Sequence, residues 1–328
     1  MSAPTLVYLT NVKYGGFVSY TAHLWRCMGR PVPVMRPGAR TQQKLKSFDG
    51  RVPTQIVSLR DLCTHAEAGP VLITACYWRQ YGRHCEELLK RGAAIVLHDP
   101  TEYDPELLAA IRRHGSKVVS IRRCNVDNLL ALDVPNTYVP HPYHRSHPAA
   151  APLAEREVNG VAISRLDWDK HTDTIITANT LLPEDQRVEL WGEGARPYLH
   201  HKLDKDLPGW RDQWRGRFPR SEGAAARIAA TARWVVDMSA IKKDGGGTQY
   251  THLEAWDAGC GLMLSQAWNT GSADSVGDAA VFVDGARALA DAVVQAGPLL
   301  QGSIDAGQRR LEQHSGPMVV PKLIEAIR

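Results

Sequence analysis

The sequence predicts an α/β protein with two Rossmann-like domains, each built around a parallel sheet. Short apolar runs alternate with helical segments along the chain, which is typical of strands joined by crossover helices. Glycine-rich loops follow several of these runs, at the position where open α/β sheets bind ligands. The length of 328 residues exceeds the usual size of one domain, so two cores with a cleft between them are expected.

The first half of the chain carries the signals of one such domain, assigned to residues 1–145. Its opening apolar run, Leu6–Thr10, predicts a strand, and Phe17–Met28 predicts the helix that follows. Gly15 and Gly16 lie between the two and would let a substrate approach the backbone, although a plain tight turn explains this loop nearly as well. Further strands and helices are predicted at Gln55–Leu59, Val71–Ala75, Glu86–Arg91, Ala94–Leu97, Pro105–His114 and Val118–Ile121.

A histidine and an acid follow the apolar run Ala94–Leu97. His98 and Asp99 are therefore predicted at the carboxyl end of a strand, where they can serve proton transfer or hydroxyl recognition. Asp99 followed by Pro100 is also an ordinary turn sequence. Both interpretations of the pair stay open at this point.

The domain boundary is placed in a proline- and histidine-rich stretch, residues 136–148, because such composition is typical of a connector. His141, His144 and His147 lie there, but linkers broken by proline rarely hold a rigid coordination geometry, so a metal site is not predicted. The second domain is assigned to residues 146–328. Its last helix, Val319–Arg328, is a candidate to pack back on the first domain.

Two cations open the second domain. Arg165 ends a predicted strand and Lys170 begins a predicted helix, which would place both near the cleft. Such a pair can clamp a diphosphate and neutralise one that departs. Asp167 and Asp169 lie between them and could bind a divalent cation with a nucleotide, but helix capping is the favoured interpretation.

A glycine-rich stretch organises the second domain. Gly245, Gly246 and Gly247 follow the predicted strand Trp234–Met238 and precede a helix, so their N–H groups can meet an anion at the positive helix end. Glu254 lies about two turns into that helix, where a carboxylate can hydrogen-bond the vicinal hydroxyls of a sugar. Other elements are predicted at Val188–Leu190, Ala224–Thr231, Leu262–Ser265, Ala280–Asp284 and Ala286–Gln295, with a loop-rich insertion at Lys202–Glu222.

Together these motifs resemble the nucleotide-sugar domain of GT-B retaining glycosyltransferases. The resemblance rests on Ser164-Arg165…Lys170, on Trp191-Gly-Glu-Gly, and on the three glycines followed by Leu253-Glu-Ala and Ala258-Gly. It implies that the Arg and Lys hold the donor diphosphate and that Glu254 binds the ribose. The family's earlier glutamate is replaced by Gly246, which leaves the donor sugar open. The implied donor-binding set is Gly15, Gly16, Arg165, Lys170, Gly192, Gly245, Gly246, Gly247, Thr248, Tyr250 and Glu254.

A narrower similarity exists to the DNA α-glucosyltransferases of T-even bacteriophages. It rests on Tyr250-Thr-His-Leu-Glu followed by Ala258-Gly-Cys-Gly, and on a matching His98-Asp99 in the first half. The resemblance implies a GT-B fold whose two sheets face each other across a cleft, with the acceptor bound by the first domain. It also implies transfer of glucose from UDP-glucose, with retention, onto the hydroxymethyl group of a modified pyrimidine in double-stranded DNA. Catalytic roles would fall on His98, Asp99, Arg165 and Lys170.

Two other classes of protein stay open. One is a GT-B glycosyltransferase that acts on a saccharide, a lipid or a small molecule. The other is a non-catalytic protein that binds a nucleotide sugar or a nucleic acid. The DNA-modifying enzyme and these two classes differ in the acceptor and in turnover. Salt-sensitive affinity for DNA would favour the DNA-modifying enzyme, and hydrolysis of the donor would count against the non-catalytic binding protein.

The arrangement of basic residues is compatible with nucleic-acid binding. The net charge of +4 excludes no class, but one arginine cluster interleaves with Trp210, Trp214 and Phe218, which indicates either a nucleic-acid surface or a solvated face. The candidate nucleic-acid contacts are Lys13, Arg79, Arg122, Arg123, Arg215 and Arg217.

Composition also bears on location and cofactors. No apolar run is long enough to span a bilayer and no secretory signal is visible, so the cytoplasm, or the host cytoplasm for a phage-encoded protein, is expected. The six cysteines form no C-x-x-C pair, which favours reduced thiols over a zinc site. We expect no cofactor and no metal besides the nucleotide-sugar donor.

Overall fold

Two parallel sheets carry the fold, and each lies in its own unit of the chain. The structure is a computed structural model that describes residues 3–12, 15–29, 33–38, 52–145, 151–218, 223–241, 246–272 and 274–328. Within these ranges, the first unit contains the residues of Met1–His144 and Gln313–Arg328. The second unit contains those of Arg145–Lys242 and Gly246–Glu312.

The first unit is an open sheet flanked by helices. Its strands are β1 Thr5–Leu9, β2 Val34–Pro37, β3 Thr54–Val57, β4 Val71–Cys76, β5 Ala94–Leu97, β6 Val118–Ser120 and β7 Thr137–Tyr138. The helices that accompany them are α1 Gly16–Cys27, α2 Leu59–Ala68, α3 Trp78–Leu89, α4 Pro105–His114 and α5 Arg123–Ala131. The strand order is β3-β2-β1-β4-β5-β6-β7, and neighbouring strands are parallel.

Local sequence explains why these elements form where they do. β4 reads Val-Leu-Ile-Thr-Ala-Cys and is buried at every position, as expected for a central parallel strand covered on both faces. α4 begins where the Asp104 carboxylate accepts the Glu106 N–H at 3.0 Å and Pro105 takes the first helical position. It ends at Gly115, which has the left-handed conformation that favours glycine.

The second unit is a smaller sheet of the same type. Its strands are β8 Val158–Ile163, β9 Val188–Trp191, β10 Ala232–Asp237, β11 Gly261–Ser265 and β12 Val281–Val283. Its helices are α6 Thr172–Asn179, α7 Arg196–Tyr198, α8 Asp204–Asp206, α9 Ala224–Ala229, α10 Tyr250–Asp257, α11 Gly285–Val294 and α12 Ala296–Glu312. The strand order is β12-β11-β10-β8-β9, again with parallel neighbours.

The strand orders create one switch point in each sheet. In the first unit the chain builds outward from β1 on one side and from β4 on the other, so the switch lies between these two strands. In the second unit it lies between β8 and β10. Loops that leave the carboxyl ends of strands separate at a switch point and leave a crevice there, which is where open α/β sheets bind ligands.

The end of the chain returns to the first unit as helix α13, Gly316–Ala326, which contacts α1 and β6. The turn before it is fixed by two hydrogen bonds to backbone carbonyls. Tyr143 N–H donates to the His314 carbonyl at 2.7 Å, and the His314 imidazole donates through Nδ1 to the His141 carbonyl at 2.8 Å. Buried His314 therefore joins the end of the chain to the connector region, at His141 and Tyr143.

The predicted α/β class with two parallel sheets is confirmed. Several element bounds differ from the prediction. The strand expected to reach Leu59 ends at Val57, because Ser58 and Asp61 form a capping box that starts α2. Residues 202–206 of the expected loop-rich region Lys202–Glu222 are helical, with Leu203 buried. β2 and α12 were not predicted. None of the helices in the described ranges is long and apolar enough to cross a membrane.

We expect Arg156 to be a major stabilising residue of the second unit. Its guanidinium is buried and donates to the carbonyls of Ala232 at 2.6 Å and Ala258 at 2.9 Å. Arg156→Met leaves these buried acceptors without donors and should lower the free energy of unfolding by about 3 kcal/mol in urea denaturation. The matched change at exposed Arg287 should stay within about 0.5 kcal/mol. Equal effects of the two would contradict this role.

Candidate functional site

The loop after β8 places Arg165 and Lys170 at the switch point of the second sheet. The Arg165 side chain is 56% exposed. Its Nη1 lies 2.7 Å from Asp167 Oδ2, and its Nη2 lies 3.4 Å from Asp169 Oδ2. The guanidinium is therefore oriented by two carboxylates while more than half of its surface stays open to solvent.

The aspartates of this loop are engaged with the protein itself. The Asp167 carboxylate accepts the Trp168 N–H at 2.8 Å and caps the short 3-10 turn Trp168–Lys170. The capping function favoured from the sequence is thus present, together with the ion pairs to Arg165. In the part of the chain that the structure describes, no group of three or more His, Cys, Asp or Glu side chains could hold a metal ion.

Lys170 connects the loops that leave two neighbouring strands. Its Nζ donates to Ser239 Oγ at 2.9 Å, and Ser239 follows the end of β10. The same loops are joined through the backbone, since Ala240 N–H donates to the Asp169 carbonyl at 2.8 Å. These two bonds hold the Lys170 ammonium at the crevice between β8 and β10.

The glycine loop lies on the chain between β10 and α10. Gly246 has φ +75° and Gly247 has φ +99°, both in the left-handed region that favours glycine. A Cβ on Gly247 would lie 3.0 Å from Asp274 Cβ, so this residue has little room for a side chain. Thr248 and Gln249 then lead into α10, whose first-turn N–H groups form a positive helix end suited to an anion. Gly245 lies outside the described residues.

Helix α10 carries the predicted ribose contact. Glu254 is half-buried and lies one helical turn after Tyr250, which is buried. Residues four apart share a face of a helix, so these two side chains project from the same side of α10. The position agrees with a carboxylate set back from a phosphate at the glycine loop, and the ribose role stays a prediction.

Gly192 has a clear steric role. It adopts φ +151°, and a Cβ there would lie 1.7 Å from the Ser164 carbonyl oxygen. The loop after β9 can therefore press directly onto the loop after β8, where Leu166 N–H donates to the Glu193 carbonyl at 2.9 Å. This close packing supports the backbone of the loop that carries Arg165. The predicted contact of Gly192 with the nucleotide-sugar donor stays a prediction.

In the first unit, His98 lies at the carboxyl end of β5 and is only 6% exposed. Its Nε2 donates to the Thr74 carbonyl at 2.7 Å, which leaves Nδ1 as the basic nitrogen. Phe17 and Tyr20 contact the imidazole edge-on. Burial lowers the pKa of His98 from its ordinary value to about 4, although the Thr74 bond opposes this shift. The imidazole is therefore neutral at physiological pH.

Asp99 and Glu102 form the turn that follows His98. The Asp99 carboxylate accepts hydrogen bonds from the Thr101 N–H and hydroxyl, which caps the 3-10 turn Pro100–Glu102. The buried Glu102 carboxyl accepts the His98 N–H at 2.5 Å, and burial raises the pKa of Glu102 well above its ordinary value. Asn125 Nδ2 donates to the His98 carbonyl at 2.8 Å. The backbone of the His98-Asp99 pair is thus held on both sides by buried polar groups.

The glycines of the first loop lie at the start of α1. Gly15 has φ +90° and is the N-cap residue, and Gly16 is the first residue of the helix. Both are exposed, and nothing lies within 4 Å of the position that a Cβ would occupy. Gly15 is therefore required by its backbone conformation, while the open space leaves the loop accessible to a ligand.

The candidate nucleic-acid contacts fall into two groups. In the first unit, Arg79 is exposed in the first turn of α3, Arg122 is the N-cap of α5, and Arg123 begins α5 with its guanidinium 4.4 Å from the Tyr138 ring centroid. Helices that follow parallel strands begin at the carboxyl edge of the sheet, so all three arginines share the edge that carries His98. Lys13 lies outside the described residues.

The arginines of the second unit are held by acids. Arg215 forms an ion pair with Glu189 at 2.9 Å, and Arg217 forms one with Glu193 at 2.7 Å. The neighbouring tryptophan segment is also internal, because Trp210 is 2% exposed and its Nε1 donates to Asp204 at 2.9 Å. Arg211 donates to the same carboxylate. The interleaved arginine and tryptophan pattern is explained here by packing of this segment onto the second unit.

Sequence reasoning missed several polar residues around the two predicted sites. They are Thr74, Glu102 and Asn125 in the first unit, and Asp237, Ser239 and His252 in the second. Each of these side chains is buried. Asp237 and Ser239 carry a local signal, because polar residues at the end of an apolar strand are typical of a site. Thr74 and Asn125 reach His98 from positions 24 and 27 residues away along the chain.

The two parallel sheets, with charged and glycine-rich loops at their carboxyl ends, define the GT-B fold class of glycosyltransferases. No protein-family model and no curated protein sequence matches the chain. Its fold is similar to that of Anabaena Alr3699/HepE in complex with UDP and glucose, with a TM-score of 0.72 and 12% identity over 99% of each chain.

Two further solved structures show the same likeness. One is an α-glucosyltransferase in complex with UDP-glucose and DNA containing an abasic site, with a TM-score of 0.71 and 13% identity over 99% of each chain. The other is a glycosyltransferase from Rickettsia africae ESF-5, with a TM-score of 0.70 and 12% identity over 100% of this chain and 98% of that chain. At these identities the likeness establishes the fold.

The burial of His98 predicts an unusual titration. We expect its imidazole signals in NMR spectra to stay constant from about pH 8 to pH 5 and to move only near the lowered pKa of about 4. An unfolded chain takes up the proton near the ordinary pKa of 6.5, so acid should lower the stability of the first unit between these two values. His98→Gln should remove this part of the pH dependence. A His98 signal that moves near pH 6.5 would show that the ring is not desolvated.

Proposed function

We propose that this protein is a glycosyltransferase that moves glucose from UDP-glucose, with retention of configuration, onto the hydroxymethyl group of a modified pyrimidine in double-stranded DNA. The observation that carries the proposal is the cation pair Arg165 and Lys170 at the switch point of the second sheet, on a loop joined to the one that leads to Gly246 and Gly247. The second unit would bind the donor and the first unit the acceptor.

The donor side suits a nucleoside diphosphate. Arg165 offers a planar fork of donors and Lys170 a compact positive charge, and both are suited to phosphate oxygens. The N–H groups that lead from Gly247 into α10 add the partial positive charge of a helix end. Glu254, set back along α10, would accept the ribose hydroxyls. Thr248 and Tyr250 complete the proposed donor contacts.

The chemistry needs positioning and charge stabilisation more than covalent help from the protein. The bond between the anomeric carbon and the phosphate oxygen breaks, the acceptor oxygen bonds to the same face of that carbon, and the acceptor proton passes to the departing phosphate oxygen. Arg165 and Lys170 would stabilise the charge that develops on the diphosphate. This route requires no cofactor.

The geometry of the first unit supports positioning functions for His98 and Asp99. A neutral His98 with a pKa of about 4 is a weak base at neutral pH, so the departing phosphate is the better proton acceptor. The Asp99 carboxylate is occupied as a cap, which disfavours a double displacement with Asp99 as nucleophile. We therefore assign the pair to orientation of the acceptor hydroxyl and the sugar.

Support for DNA as the acceptor comes from sequence and charge. The stretch Tyr250-Thr-His-Leu-Glu resembles the phage DNA α-glucosyltransferases, and a fold of the same class was solved with UDP-glucose and DNA. Arg79, Arg122 and Arg123 lie at the sheet edge that carries His98, where phosphates flanking a reactive base would be neutralised.

A second candidate function is glycosyl transfer to a saccharide, a lipid or a small molecule. It is favoured by the ion pairs of Arg215 and Arg217, which leave the second unit with fewer open cations for DNA. The similarity to HepE in complex with UDP and glucose is also as close as the similarity to the DNA-bound enzyme. The nature of the acceptor separates the two candidates.

Transfer is tested by incubating the protein with UDP-glucose and DNA that contains 5-hydroxymethylpyrimidines, followed by nuclease digestion and mass analysis of the nucleosides. We expect a mass gain of one hexose on the modified nucleoside. Arg165→Ala should lower kcat/KM by about 10² or more, because it removes stabilisation of the departing diphosphate. Exposed Arg287→Ala is the matched control and should behave as the wild type. An Arg165→Ala enzyme with unchanged rate and donor affinity would refute the assigned clamp.

DNA binding by the first unit is tested with the double variant Arg79→Ala, Arg123→Ala. We expect weaker binding to duplex DNA of any sequence, and a slope of log affinity against log salt that is smaller by about 1 for each lost phosphate contact. Lys117→Ala is the matched control, since Lys117 is exposed just before β6, at the opposite edge of the same sheet. Equal losses in the two variants would mean that the charge acts without a defined DNA surface.

A further inference from the structure

Ser239 is a buried junction in the loop after β10. Its N–H donates to Asp237 Oδ1 at 2.9 Å, and its hydroxyl donates to the same oxygen. Its carbonyl accepts the Trp268 indole N–H at 2.7 Å. Its hydroxyl also accepts from Lys170 Nζ at 2.9 Å. With 2% exposure, Ser239 is fixed by protein contacts alone and does not reach solvent.

The direction of these hydrogen bonds follows from the chemistry of the groups. An ammonium has only hydrogens to donate, so Ser239 must accept from Lys170 through a lone pair. The hydroxyl hydrogen must then point elsewhere, and the Asp237 carboxylate, which only accepts when ionised, takes it. The order of donation is thus Lys170 to Ser239 to Asp237. Removal of any member leaves the next one without its defined partner.

His252, a residue of the first turn of helix α10, lies next to Asp237. Its Nδ1 accepts the Gln249 N–H at 3.3 Å, so the proton of a neutral ring lies on Nε2, which faces Asp237 Oδ2 at 4.0 Å. The imidazole is fully buried and lies edge-on to Trp268. Gln249 is the N-cap of α10, directly after the glycine loop. The start of α10 therefore lies close to the carboxylate that orients Ser239, with 4.0 Å between His252 Nε2 and Asp237 Oδ2.

We infer that Asp237, Ser239 and His252 are positioning residues that hold the Lys170 ammonium ready for the phosphates of a nucleoside diphosphate. The inference rests on the proposed function of the second unit as the donor site. A free lysine side chain samples many rotamers, and prior anchoring of Nζ reduces the rotamer entropy that is lost on binding.

The test is calorimetric titration of the purified protein with UDP, with no acceptor present. Ser239→Ala and Asp237→Asn should each weaken UDP binding by about tenfold and raise KM for UDP-glucose by a similar factor. Ser239→Thr keeps the hydroxyl and should stay within about twofold of the wild type. Asp278→Asn is the matched control, because Asp278 is an exposed acid of the same unit. Thermal melts establish that each variant is folded.

A double-mutant cycle separates positioning from a general structural effect. If Ser239 acts through Lys170, then Ser239→Ala should change UDP affinity by less than about twofold in a Lys170→Ala background. The inference would be overturned if the effects of Ser239→Ala and Lys170→Ala on UDP affinity were fully additive. It would also be overturned if the Ser239→Ala protein bound UDP as the wild type does. His252→Gln should follow Asp237→Asn in direction, with a smaller loss.

Failure of this inference differs from failure of the proposed function. Wild-type binding of UDP with the expected losses, but without glucosylation of DNA, refutes the acceptor and keeps the positioning residues. Glucosylation of DNA with unchanged UDP binding in folded Ser239→Ala refutes the positioning residues alone. A wild-type protein that does not bind UDP refutes both.

Discussion

Parallel pairing of the strands is the constraint on which the rest of this structure depends. Every strand must be followed by a crossover before the next one can pair with it, so the loops that leave carboxyl ends gather at one edge of each sheet. The residues that can bind a ligand or take part in a reaction therefore collect there, although they come from distant parts of the chain. Arg165 and Lys170 leave β8, while Ser239 leaves β10, its neighbour in the sheet.

The loops at these edges are built to hold charge in fixed places. Arg165 lies against two aspartates and Lys170 against a serine that Asp237 orients. In the first unit His98 is held between the Thr74 carbonyl and the Glu102 carboxyl, and Arg79, Arg122 and Arg123 lie at the same edge of the sheet. The proposed donor site is therefore cationic, which agrees with the proposed reaction, in which negative charge develops on the departing diphosphate.

The strands and loops that depend on residues adjacent in the chain could be predicted from the sequence. Apolar runs such as Val71–Ala75 predict strands because burial on both faces demands them. Gly246 and Gly247 predict a loop between a strand and a helix, and in the structure both adopt the left-handed conformation that favours glycine. β2 was missed, since it contains Arg36 and ends at Pro37, and neither residue is typical of a buried strand.

Contacts between residues that are distant in the chain could not be predicted in this way. Lys170 and Ser239 are separated by 69 positions, and only the strand order β10-β8 makes them neighbours. Arg215 and Arg217 read as open cations in the sequence, and only the fold brings Glu189 and Glu193 to them. Charge in a sequence therefore predicts a binding surface less securely than a glycine predicts a turn, because its partners are set by topology.

The position of a bound donor diphosphate is the most direct test of the proposal that Arg165 and Lys170 bind it. We would determine a crystal structure of the protein with UDP-glucose. We expect phosphate oxygens within about 3.2 Å of the Arg165 guanidinium, the Lys170 ammonium and the N–H groups that follow Gly246. A nucleotide sugar bound at the edge of the first sheet, or with its phosphates directed away from both cations, would contradict it.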